Sequence, residues 1–170
     1  MEFKLKSISA SSIAEAISKV ELYRYLNEPE EAESICLDIL AIEPENQMAL
    51  RLLGLAITDQ FTGGLSDRCG EAERIFQSLT DRYERLYYSG LVQERWAKAQ
   101  LTAGRPPHTL LVLFEQALRC FEEAGKIRPA GNDDAILRWN RCVRLLQSRL
   151  GSEWQRQEVE HFDAHDSPPV

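Results

Sequence analysis

The sequence lacks a long uninterrupted hydrophobic run, which argues against a membrane-spanning helix. Its first twenty residues also lack the apolar core of a secretory leader, so we expect a cytoplasmic protein. Basic residues are also fewer than acidic ones, 20 against 27, and the 170-residue chain carries a net charge of −7. Since nucleic-acid-binding proteins need a basic face toward the phosphates, we expect neither a nucleic-acid nor a membrane partner.

The motifs of common enzyme classes are missing too. There is no G-x-S-x-G segment, and no serine or cysteine has a basic partner nearby in the sequence. The Thr62-Gly63-Gly64 segment follows a predicted helix rather than a strand, which excludes a dinucleotide-binding loop. We therefore expect that this protein is not an enzyme and that it has no catalytic residues and no cofactor.

Cysteines are few and widely spaced. Cys36, Cys69, Cys120 and Cys142 include no C-x-x-C pair, and three of them fall within apolar stripes of predicted helices. We interpret these cysteines as buried free thiols in a reducing compartment. The alternatives are a zinc site and a disulfide framework.

Two of the three histidines have metal-ligand spacing. His161 and His165 are four residues apart, with Asp163 and Asp166 close by. This group lies in a polar tail ending in Ser167-Pro168-Pro169, where no packed element would hold the ligands in place. We therefore expect no bound metal.

What the sequence does contain is helical periodicity along nearly its whole length. Apolar residues recur at intervals of three and four, and no segment alternates with a period of two. Proline and glycine clusters interrupt this pattern because proline cannot occupy a helix interior without losing a hydrogen bond. The pattern predicts an all-α protein with helices at 11–27, 29–42, 46–60, 69–82, 83–102, 108–125 and 132–150. Short connections between them favour antiparallel helical hairpins.

Three of the predicted helices repeat one pattern. Each has an alanine, a larger apolar residue or cysteine four residues later, and another apolar residue three after that. The sets are Ala32, Cys36 and Ile39; Ala72, Phe76 and Leu79; and Ala117, Phe121 and Ala124. A small alanine lets two helices approach closely while the larger side chains fill the space beside it. Pro44 and Pro129 each follow the alanine of their helix by twelve residues and close a hairpin.

These features resemble the tetratricopeptide repeat, a helix–turn–helix unit found in tandem arrays. Leu50, Leu53, Gly54 and Ile57 match its first helix, with isoleucine where an aromatic residue is usual. The resemblance implies about three repeats plus a capping helix within residues 1–150, wound into a right-handed superhelix. Insertions near 61–70 and 104–108 leave the register open there. An acidic tail, 151–170, is expected either to be disordered or to extend the last helix.

The resemblance also implies a function, namely a protein-interaction scaffold or adaptor that binds a peptide or helix in its concave groove. The expected groove residues lie on the first helix of each pair and on the capping helix: Glu21, Arg24, Tyr25, Arg51, Leu55, Thr58, Asp59, Tyr87, Leu91, Glu94, Arg95, Arg141 and Arg144. The Lys/Asn/Arg set with which one subgroup of the family binds a terminal carboxylate is absent, since Leu55 and Leu91 stand where polar groups would be needed.

Charge and aromatic residues leave the partner open. Residues 28–45 carry seven acids and no lysine or arginine, whereas 119–149 carry seven basic and four acidic side chains. Arginine suits carboxylates, so an acidic peptide is one expected partner and a second copy of the chain another.

The aromatic residues allow two interpretations. Either a recognition platform or core contacts between hairpins would be formed by Tyr83, Tyr87, Tyr88 and Trp96. The alternative functions are a structural subunit that self-associates or packs into a larger complex, and a regulatory domain that binds a small signalling molecule or nucleic acid.

Overall fold

The computed structural model describes residues 3–163, with side chains from residue 3 to residue 149. Within that part the chain is all-helical and contains no strand, as the periodicity predicts. Seven α-helices follow one another: α1 (Ile13–Tyr25), α2 (Pro29–Ile42), α3 (Gln47–Asp59), α4 (Cys69–Gln77), α5 (Arg82–Thr102), α6 (Leu111–Lys126) and α7 (Asp134–Asp163). Short 3-10 helices at Ala10–Ser12 and Pro107–Leu110 precede α1 and α6.

Polar capping residues and left-handed turns mark the helix ends. The Asn46 side chain accepts a hydrogen bond from the Ala49 amide at 3.0 Å and begins α3, while Pro29 occupies the first turn of α2. After α1 the chain turns at Asn27, whose φ is 61°. Such a backbone suits asparagine and glycine, and Gly104 and Gly131 follow α5 and α6 with φ of 89° and 80°. These signals explain why the observed bounds of α1, α2, α3 and α5 lie within two residues of the predicted ones. The backbone of α7, in contrast, continues as helix to Asp163, 13 residues beyond its predicted end at residue 150.

The predicted boundary between α4 and α5 needs correction. We expected α4 to continue to residue 82, but it ends at Gln77. The Asp81 side chain accepts a hydrogen bond from the Glu84 amide at 2.9 Å and so begins α5 one residue earlier than expected. Between the two helices, the Thr80 amide donates to the Gln47 side chain at 2.8 Å. This contact ties the connection to the start of α3 in place of a closing proline.

Successive helices pack against each other along the chain, and α1 also contacts α3, which in turn contacts α5. One core cluster lies among α1 to α4 and includes Val92 of α5, and a second lies among α5, α6 and α7. Ala32, Ala72 and Ala117, the alanines of the repeated pattern, have no exposed surface. Each lies at a helix contact, as their spacing predicts. No helix within residues 3–163 combines the length and apolar character that crossing a membrane requires.

The insertion expected at 61–70 is a hydrogen-bonded loop over residues 61–68, and its last two residues begin α4. The Asp67 carboxylate accepts hydrogen bonds from the amides of Thr62 and Gly63 at 2.9 and 2.7 Å. Arg68 then bridges to Glu33 on α2 at 2.7 Å and to Glu71 on α4 at 2.6 Å. The extra residues therefore connect α3 to α4 without separating the helices on either side.

Candidate functional site

Charged side chains from α1, α3 and α5 meet on one side of the molecule. We call this surface the odd-helix face and define it by Arg24, Arg51, Thr58, Asp59, Glu84 and Arg95. Every one of its ion-paired side chains is between 21% and 24% exposed, so each is held by the protein and still reaches solvent. A ligand could therefore contact these groups without unfolding the structure.

Asp59 is the centre of this face. Its carboxylate accepts a hydrogen bond from Arg24 of α1 at 2.7 Å and another from Arg95 of α5. Arg95 also donates to the Thr58 hydroxyl at 2.7 Å, and that hydroxyl donates to the carbonyl of Leu55 at 2.9 Å. One carboxylate at the end of α3 thus joins three helices.

A second junction links the middle of α3 to the start of α5. Arg51 donates to Glu84, and the Arg51 Nε is buried without a hydrogen-bond partner in the described part of the chain. Behind this pair lies Tyr88, whose ring stacks on Phe76 with the centroids 4.7 Å apart. Burial raises the pKa of Tyr88 to about 12, although the nearby arginines oppose the shift. The phenol is therefore neutral at physiological pH and forms part of the support beneath the arginines.

A third junction connects α5 with α7. Glu94 is fully buried and accepts hydrogen bonds from Lys98 and from Arg138, the latter at 3.5 Å. Burial alone would lower the pKa of Arg138, but Glu94 and Tyr87 raise it above its usual value. Arg138 therefore stays charged, and the buried carboxylate has two cationic partners.

Six of the thirteen residues expected in the groove come together at the first two junctions. They are Arg24, Arg51, Leu55, Thr58, Asp59 and Arg95, all on α1, α3 or α5. Glu21 and Tyr25 lie exposed on the same α1 helix, and Tyr25 has 87% of its surface accessible. Arg141 and Arg144 are exposed on α7.

The structure places three other expected groove residues in different surroundings. Leu91 is 1% exposed and Glu94 is fully buried, so neither offers a surface to a ligand docking on this face. Leu91 packs in the interior, and Glu94 holds α5 to α7. The ring of Tyr87 lies among Tyr83, Tyr88 and Phe121, at centroid distances of 5.9, 5.0 and 6.0 Å. This aromatic group is a packing cluster between α5 and α6.

Sequence reasoning did not find Glu84, Lys98 or Arg138. Glu84 pairs with a residue 33 positions earlier, so no local spacing signals the contact. Lys98 follows Glu94 by four residues, a spacing that favours an ion pair on one helix and could have identified it. Arg138 lies on the side of α7 that faces α5, where it pairs with Glu94, and its spacing along the sequence does not show that this side is turned toward α5.

The balance of charge on the odd-helix face differs from that of the whole chain. Three arginines meet two carboxylates there, which leaves one excess positive charge on a protein whose net charge is −7. Both Arg24 and Arg95 share the single carboxylate of Asp59. The two guanidinium groups can therefore donate hydrogen bonds to a further acceptor, such as a backbone carbonyl or a carboxylate of a ligand.

The cysteines have the chemistry of buried thiols. Cys36 and Cys142 have no exposed surface, and burial raises the pKa of each to about 12. Burial also raises the pKa of Cys69 to about 12 and that of Cys120 above its usual value. All four are free, and none has the lowered pKa that a nucleophilic cysteine needs.

No group of histidine, cysteine or acidic side chains with the geometry of a metal site occurs in the described residues. The side chain of His161 and the whole of His165 lie outside the described part of the chain, so the predicted absence of metal there stays a prediction. A hollow of about 420 Å³ lies between α6 and α7, and its lining includes Phe121, Ile136 and Trp139.

Comparison of the chain with family models, with curated proteins and with solved structures finds no match in any of the three.

Proposed function

We propose that this protein is a non-enzymatic interaction scaffold that binds a peptide or helix of another protein on its odd-helix face. The helices would form a tetratricopeptide-like array of three hairpins, α1/α2, α3/α4 and α5/α6, with α7 as the capping helix. In such an array the first helices line the concave side of a right-handed superhelix. The partner would lie across α1, α3 and α5.

One observation carries the proposal. Arg24 of α1 and Arg95 of α5, each between 21% and 23% exposed, converge on Asp59 of α3, and their guanidinium groups are held in fixed positions. Preorganised donors lower the entropic cost of ordering side chains when a ligand binds. Tyr25 adds an exposed aromatic ring on the same α1 helix, and tyrosine and arginine are the residue types most often found at binding hot spots.

Tyr25 offers the cleanest test because its removal should not disturb folding. A peptide-display selection against the purified protein would supply a ligand, whose affinity can be measured by fluorescence anisotropy. Tyr25→Ala should weaken binding about tenfold or more, in the range typical of a contact residue. Leu65→Ala is a matched control, since Leu65 is a fully exposed apolar residue in the loop before α4. Equal affinities for wild type and Tyr25→Ala would contradict the proposal.

A further inference from the structure

Helix α7 has an uncovered face on the side away from the core. Leu137, Arg141, Arg144 and Ser148 recur there at intervals of four, three and four residues, and all four are exposed. Leu137 has 63% of its surface accessible. Neither Arg141 nor Arg144 makes an ion pair with any residue of the described chain. We call these four residues the outer face of α7.

Helix α2 has a second uncovered face with the same spacing. Glu30, Ser34, Leu37 and Ala41 recur at intervals of four, three and four residues, and all four are exposed. Leu37 has 54% of its surface accessible. These residues lie opposite the buried side of the helix and define the outer face of α2.

Most acids of α2 have no basic partner. The helix contains four acids and neither lysine nor arginine, and Glu33 pairs with Arg68. Glu30, Glu31 and Asp38 make no ion pair among the residues that the structure describes. Glu31 and Asp38 each follow a residue of the outer face by one position, so their carboxylates border it. The outer face of α2 is therefore uniformly acidic.

The two outer faces are alike in shape and opposite in charge. Each has one exposed leucine beside small side chains, which are serine and alanine on α2 and serine on α7. The leucine is accompanied by three unpaired carboxylates on α2 and by two unpaired guanidinium groups on α7. An apolar centre with charges of opposite sign around it is the pattern of two complementary protein surfaces.

The two outer faces do not meet within one molecule. Helix α2 packs against α1 and α3, whereas α7 packs against α6 and pairs with α5 through Arg138 and Glu94. Both outer faces are exposed in the folded chain, so neither covers the other. A contact between them therefore has to join two copies.

We propose that the outer face of α7 in one copy binds the outer face of α2 in a second copy. The contact removes the two exposed leucines from water, and arginine forks on α7 pair with carboxylates on α2. Because the two faces differ, each copy uses both of them, either reciprocally within a closed dimer or in succession along a chain. The odd-helix face takes no part in this contact, so each proposal can fail its test alone.

Charge reversal on the full-length protein tests the contact. Association is measured by sedimentation equilibrium over a wide range of protein concentration, and the wild-type association should weaken as salt is added. One variant carries Arg141→Glu and Arg144→Glu, which make both faces acidic. The other carries Glu30→Lys and Asp38→Lys, which make both faces basic. Each variant alone should raise the dissociation constant about tenfold or more, since attractive pairs become repulsive.

The α2 variant separates this contact from overall charge repulsion. Its two substitutions move the net charge of −7 by four units toward zero, so general repulsion between copies falls. Association should nevertheless weaken. The matched control for the α7 variant is Arg105→Glu with Arg119→Glu, which changes the net charge equally at two exposed arginines outside both faces. This control should associate like wild type.

Recombination of the variants tests which faces meet. A mixture of the α7 variant with the α2 variant should associate again, because acidic faces of one chain then meet basic faces of the other. A single chain that carries all four substitutions should associate like wild type, since the two charges have only changed places.

Four results would overturn the proposal. They are a wild-type protein that stays monomeric at every concentration, an association that neither variant weakens, a control that weakens it as much as the α7 variant does, and variants that fail to recombine although circular dichroism shows them folded.

Discussion

The close approach of Gly54 to Phe76 gives the sharpest test of how the hairpins pack. Gly54 lies inside α3, and a Cβ atom added there would come within 2.5 Å of the Cε1 and Cζ atoms of the Phe76 ring. Phe76 has no exposed surface, and its ring stacks on Tyr88, so it has little room to move. Gly54→Ala should therefore overpack this contact.

The expected loss follows from two opposing effects. Overpacking a well-filled core costs about 2–3 kcal/mol when the neighbour cannot move. Replacing glycine by alanine inside a helix returns about 1 kcal/mol of intrinsic helix stability. The free energy of unfolding should therefore fall by about 1–2 kcal/mol, and the melting temperature by about 2–8 °C for a chain of this size.

Gly125→Ala is the matched control for this measurement. Gly125 lies near the end of α6, and nothing is within 4 Å of an added Cβ atom there. The control should be stabilised by about 0.5–1 kcal/mol in urea unfolding followed by circular dichroism. Adding Phe76→Leu to Gly54→Ala should remove most of the penalty relative to Phe76→Leu alone. If Gly54→Ala raised stability as Gly125→Ala does, α3 and α4 would not pack in this way.

Three further predictions follow from buried or paired groups. Ala117→Trp should destabilise the protein by about 1–3 kcal/mol or more, because Ala117 is fully buried at a helix contact, and an unchanged melting temperature would show that the contact is absent. The hydrogen bond from Arg68 lowers the pKa of Glu33, so the stability this pair contributes is present above the unfolded-state pKa of about 4.3 and is lost as pH falls through the lower folded-state value. Glu33→Gln should therefore reduce stability at neutral pH and flatten its decline in acid, and identical unfolding curves for both proteins between neutral pH and acid would rule this out. Cys36 and Cys142 should react with a thiol reagent at mildly alkaline pH only as fast as the protein opens, because both are buried and burial raises the pKa of each to about 12. Fast labelling of either of these two positions, located by peptide mapping to separate them from the partly buried Cys69 and Cys120, would contradict their burial.

Much of the fold could be predicted because the sequence marks helices locally. Pro29 and Asn46 mark two helix starts, and the Ala32 and Ala117 patterns identify which helix faces are buried. The end of α4 was harder to place, since it depends on a hydrogen bond between Thr80 and the distant Gln47 side chain. The length of α7 was also open, because the glycine and serine at 151–152 weaken a helix signal without excluding it.

The candidate site was predictable only in part. The resemblance placed Arg24, Asp59 and Arg95 on first helices, and these three residues meet. Periodicity cannot show whether a polar residue near the edge of a helix face reaches solvent. Glu94 is an example, because we expected it in the groove and the structure buries it between α5 and α7. Long-range partners such as Glu84 for Arg51 depend on how helices are stacked, which spacing along one helix does not encode.

The central claim is that a partner binds across α1, α3 and α5. Hydrogen–deuterium exchange of the full-length protein, with and without a display-selected peptide, tests it most directly. Bound peptide should slow exchange in peptic fragments that cover the second half of α1, the second half of α3 and the middle of α5, around Arg24, Asp59 and Arg95. Protection confined to fragments of α2, α4 and α6, with no change around those three residues, would contradict it.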